Sequence, residues 1–99
     1  MAKGARITRK IAENLAIQAL GFMAADPERL GAFLAATGIG PEMIRRAAAE
    51  PSFLAGVLDY VVADEPLLIA VAEHAELGPQ DIEHAQAVLG GRPWRREVP

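Results

Sequence analysis

A block of 25 residues in this 99-residue chain occurs twice. The stretch ADPERLGAFLAATGIGPEMIRRAAA, residues 25–49, returns without a gap as ADEPLLIAVAEHAELGPQDIEHAQA, residues 63–87, at an offset of 38. Nine of the 25 pairs are identical. Four of these are Ala–Ala matches, which an alanine-rich chain produces easily. The other five are Asp26/Asp64, Leu30/Leu68, Gly40/Gly78, Pro41/Pro79 and Ile44/Ile82: a helix cap, two apolar positions and a Gly-Pro restart. The register extends backwards, with Leu15 over Phe53, Leu20 over Leu58 and Phe22 over Tyr60. A period in this range marks a supersecondary unit that cannot bury its apolar face alone, and solenoids of such units need about three or more copies. Two copies are expected to close on each other. The expected fold is therefore all-α: a compact bundle of about six short helices in two pseudo-symmetric three-helix halves, about residues 14–50 and 52–89.

Helix signals support six elements. Thr8 is placed to cap the first, whose apolar face carries Ile11, Leu15, Ala19 and Phe22 or Met23 at helical spacing. Asp26-Pro27-Glu28 starts the second: a cap, a proline in the first turn, and an acid that complements the helix dipole. Gly38 in a left-handed turn ends it, and Gly40-Pro41 opens a third carrying Ile44, Ala47 and Ala48. Ser52 is expected to cap the fourth, the most apolar, with Phe53, Leu54, Val57, Leu58, Val61 and Val62. Asp64 caps the fifth, and Gly78-Pro79 starts the sixth. The first and fourth are expected at the centre. Residues 1–7 form a basic arm expected to be mobile, residues 8–91 a single domain, and residues 92–99 a basic tail containing Trp94.

The net charge of −3 conceals an uneven layout. Residues 1–46 hold seven bases and four acids; residues 47–91 hold eight acids and no lysine or arginine. Such separation bears on association rather than on fold. With no cysteine, disulfide scaffolds and thiolate metal sites are excluded. No apolar run approaches the ~20 residues that span a bilayer, and no long apolar segment follows the basic start, so a cytoplasmic setting without a secretory leader is expected.

Catalytic chemistry finds little to work with. Asp26 and Asp64 resemble a carboxylate pair, but capping explains both. His74 and His84 are the only histidines and lack metal-ligand spacing. Ser52 is the only serine, and no nucleophile elbow or phosphate-binding glycine loop occurs. No catalytic residue, cofactor or metal is expected. Residues 34–46 imitate a helix-turn-helix, with Gly38 in the turn and Arg45 and Arg46 behind it. The first turn of that recognition helix would offer Pro41, Glu42 and Met43, poor partners for base edges. A sequence pI near 5.3 also weighs against nucleic acid. In the tail, Arg92, Arg95 and Arg96 surround Trp94, a composition typical of binding hot spots. The expected function is a non-catalytic protein-interaction or adaptor module, with an unknown protein partner or a homo-oligomer. The alternative is a helix-turn-helix-like nucleic-acid binder using the basic arm with Arg45 and Arg46.

Four segments together resemble a known family: AIQALGF (16–22), ADPERL (25–30), PSFL (51–54) and VLDY (57–60). It is a domain-of-unknown-function family of short alphaproteobacterial proteins, and the likeness covers roughly residues 11–91. The resemblance implies a bacterial, cytoplasmic protein. It transfers no functional residue.

Overall fold

The computed structural model describes residues 7–90. The expectations for residues 1–6 of the basic arm and for Arg92, Trp94, Arg95 and Arg96 fall outside these residues, while Ile7, the last residue of that arm, packs against the core. The described residues form six α-helices and no strand: α1 Arg9–Ala24, α2 Pro27–Thr37, α3 Ile44–Ala47, α4 Pro51–Val62, α5 Glu65–His74 and α6 Pro79–Leu89. A 3₁₀ turn, Pro41–Met43, leads into α3.

Short polar side chains start three helices by accepting backbone N–H groups that have no partner within the helix. Thr8 Oγ1 accepts from Ile11 N–H at 3.1 Å. Asp26 Oδ1 accepts from Glu28 N–H at 3.0 Å, and Asp64 Oδ1 from Leu67 N–H at 3.2 Å. Ser52 does not cap α4. It is the second residue of that helix, and Glu50, extended at φ −100° and ψ 123°, takes the cap position without a side-chain bond. Pro51 is the cause: proline fills the first helical position and pushes the residue before it into extended geometry.

The ends of α2 and α5 show one device built from different residues. Gly38 ends α2 at φ 76°, and its N–H donates to the Leu34 carbonyl at 2.8 Å. Its repeat counterpart after α5 is Glu76, left-handed at φ 61°. There the Leu77 N–H reaches back to the Ala72 carbonyl at 2.8 Å, the longer bond of a Schellman motif. Glycine takes that geometry freely, whereas a side chain there costs about 1–2 kcal/mol. A carboxylate past the C-terminus of a helix also opposes its dipole. Glu76→Gly should therefore raise stability by about 0.5–1 kcal/mol, and Gly38→Ala should lower it by about 1–2 kcal/mol. Urea denaturation of both variants checks this; a destabilised Glu76→Gly protein would contradict it.

Three helices share the centre. α1, α4 and α6 each pack on the other two, α5 closes over α4 and α6, and α2 lies along α1. The core holds Leu15, Leu20 and Met23 from α1, Val57, Leu58 and Val61 from α4, and Ile82, Ala85 and Leu89 from α6. No polar or charged residue is buried among the described residues. α1 and α4 occupy the expected central place, but α6 shares it. At the surface Gln86 Nε2 donates to Asp59 Oδ1 at 2.8 Å, tying α6 to α4. No helix among the described residues is long and apolar enough to cross a membrane.

The two halves of the expected repeat share the starts of α2 and α5 and a left-handed residue after each, but their third elements differ, so two matching three-helix halves do not follow. α6 is an 11-residue helix sunk in the core, whereas its counterpart is a 3₁₀ turn followed by four helical residues. Two sequence differences account for this. At the third helical position α6 has Asp81, whose Oδ2 accepts from the Gly78 N–H at 3.0 Å; the first copy has Met43, which offers no such acceptor. Pro51 then stops α3, while α6 meets no proline before its end at Leu89. In consequence Ile82 is fully buried and Ile44 only half-buried.

Candidate functional site

The polar side chains that suggested chemistry are dispersed. Among the described residues no three of His, Cys, Asp and Glu stand where they could hold a metal ion. Asp26 and Asp64 are engaged in capping, and Asp26 also lies 3.6 Å from Arg29 Nη1 in an exposed ion pair. His74 is exposed at the end of α5, its ring 5.0 Å from that of Phe22. The Arg29 guanidinium stands 4.9 Å from the Phe22 ring centre, within cation–π range. These contacts tie α1, α2 and α5 together at the surface. His84 is half-buried on α6. A shallow cleft of about 290 Å³ between Met23, Arg29, Tyr60, Asp64 and Leu67 lies where these helices meet.

A larger feature lies on the other flank of α2. The left-handed turn at Gly38 and the restart at Gly40-Pro41 lead into α3, whose Ile44 packs against the edge of the core but is only partly covered. Between α2 and this segment runs an open groove of about 590 Å³, lined by Leu30, Pro41, Glu42, Ile44 and Arg45. Met43 is 41% exposed on the same segment. Arg45 and Arg46 are exposed, and neither has an ion-pair partner among the described residues. Next to Leu30, α2 presents Gly31 and Ala35 to solvent without a charge. Space around Gly31 is open, with nothing within 4 Å of where a Cβ would sit. Such a surface loses few hydrogen bonds and little side-chain entropy when covered.

Beyond its packing along α1, α2 is held to α4 by one aromatic side chain. Phe33 is its one fully buried residue, and its ring meets Tyr60 edge-on at 5.1 Å and Phe53 at 6.0 Å. The groove is thus framed on one side by an anchored helix and on the other by a segment with no buried residue.

The expected site residues divide accordingly. Arg45 and Arg46 fall on the groove segment, while Arg92, Trp94, Arg95 and Arg96 lie outside the described residues. In the helix-turn-helix comparison the recognition element is a 3₁₀ turn of Pro41, Glu42 and Met43 before a helix of four residues. Leu30 and Ile44, the aliphatic lining, were not recognisable as a surface from sequence, because both fit a core pattern. The usable signal was Pro51, which limits any helix starting at Pro41 to less than the length of its repeat counterpart.

The model of a family described as "Protein of unknown function (DUF3572)" matches residues 9–92. No curated protein and no solved structure matches the chain.

Proposed function

We propose that the chain, which belongs to the DUF3572 family, is a non-catalytic protein-interaction module whose docking surface is the groove between α2 and α3. The observation that carries this is the unequal fate of one repeat position. Ile82 is fully buried on α6, which packs on α1, α4 and α5, while Ile44, its counterpart, is left half-covered beside exposed Met43 and two arginines without ion-pair partners among the described residues. An apolar floor with a charged rim is the usual anatomy of a protein interface. The absence of a convergent polar set along the groove fits recognition better than turnover.

A photo-crosslinking amino acid placed at Met43, in cells that make the protein natively, tests this. A discrete adduct from Met43 and none from exposed Ser52 on α4 is the expected result. Equal labelling at both positions, or none at Met43, would remove the groove as a docking surface.

A further inference from the structure

We infer that the occupant of this groove is α5 of a second copy of the chain, in a two-fold dimer; this rests on the docking reading above. The groove asks for a helix carrying one apolar knob between acids. The knob must fill the space beside Leu30 and Ile44, and the acids must meet Arg45 and Arg46. The outer face of α5 has that pattern. Glu65, Ile69 and Glu73 are four residues apart, so they line one stripe of the helix. All three are exposed, and Ile69 is 42% exposed, an isoleucine that its own fold leaves uncovered. No lysine or arginine occurs among residues 47–91, and neither Glu65 nor Glu73 is in an ion pair among the described residues.

The repeat makes the two surfaces complementary. The positions equivalent to Glu65, Ile69 and Glu73 on α2 are Pro27, Gly31 and Ala35. One copy of the unit therefore carries a charged stripe with a knob, and the other a flat uncharged stripe without a Cβ at its middle. If α5 of each chain lies on the groove of the other, every contact occurs twice about a two-fold axis and the assembly closes as a dimer. Ile69 and the charges of Glu65, Glu73, Arg45 and Arg46 are then covered in one step.

Size-exclusion chromatography with light scattering, over a range of concentrations at about 0.05 M and about 1 M salt, tests the inference. It is run on the wild type, Ile69→Glu, Glu73→Arg, Arg45→Glu and the Glu73→Arg/Arg45→Glu double variant. The wild type should show twice the 10.5 kDa chain mass at low salt and dissociate as salt rises. Each single variant should weaken the dimer by about tenfold or more, and the double variant should recover to within about threefold of the wild type. Circular dichroism guards against misfolding: Glu73 lies in the last turn of α5, where an arginine suits the helix dipole better than a glutamate, so Glu73→Arg should fold at least as well. A wild type that is monomeric at every concentration overturns the inference, as does a dimer indifferent to Arg45 and Glu73 or a double variant that fails to recover. A strict monomer whose Met43 still gives a discrete adduct with a different protein overturns the second copy as occupant and leaves the docking groove standing. A strict monomer without an adduct removes both.

Discussion

Ile82→Ala should lower the free energy of unfolding by about 2–5 kcal/mol, the range for truncating a fully buried isoleucine. Ile44→Ala, the same change at the same place in the repeat, should cost less than about 1.5 kcal/mol, because part of that side chain is already in water. Ile82 is 0% exposed among α1, α4 and α5, while Ile44 stands on a four-residue helix that buries no residue. The spread within the first range depends on how far α1 and α4 collapse into the space left behind. Two urea denaturation curves followed by circular dichroism give the comparison. Losses of equal size would mean that the third element of the first half is seated in the core like α6.

Phe33→Ala should cost about 3–5 kcal/mol, a large share of the roughly 5–15 kcal/mol that holds a domain together. Phe33 is the one fully buried side chain of α2 and meets both Tyr60 and Phe53 of α4 edge-on. Edge-on aromatic pairs add about 0.5–1.5 kcal/mol each beyond the area they bury. The loss should be local before it is global. Hydrogen exchange should accelerate through α2 and leave α4 and α6 slow, since helices held by few buried contacts open first. Uniform acceleration across all helices, or a loss below about 1 kcal/mol, would show that α2 has another anchor.

Much of the fold was legible because helix boundaries depend on nearest-neighbour chemistry. Asp26 and Asp64 read as caps from their position before a proline or an acid, and they cap. Gly38 read as a left-handed helix end, and it has φ 76°. Glu76 could not be read so, because a non-glycine side chain in that conformation is chosen by the surrounding turn and not by its own preference. Ser52 was misplaced because serine is a good cap in isolation, and the proline before it had already settled the question.

The placement of α6 beside α1 was not legible, since a pattern of apolar residues states that a face is buried but not which helix covers it. The groove was hidden for the same reason. Leu30, Ile44 and Ala47 match buried residues of the second half, and only the packed structure shows that one set is fully covered and the other partly. Charge separation was visible in the sequence throughout. What the structure adds is that the acids of α5 share a stripe with an exposed isoleucine.

Arg9 Nη1, at the start of α1, donates to the Val88 carbonyl at the end of α6 at 3.4 Å. The first and last described helices are thus neighbours, and the core is incomplete until α6 has been made. A nascent chain ending before Pro79 leaves the faces of α1 and α4 that α6 should cover open to water, at elongation rates of about 5–20 residues per second. Products truncated by even one helix would expose those faces permanently, which makes them natural clients of chaperones and proteases. Docking α6 on α1 also means closing a loop between residues 79 positions apart, so folding should be slower than the helical content suggests.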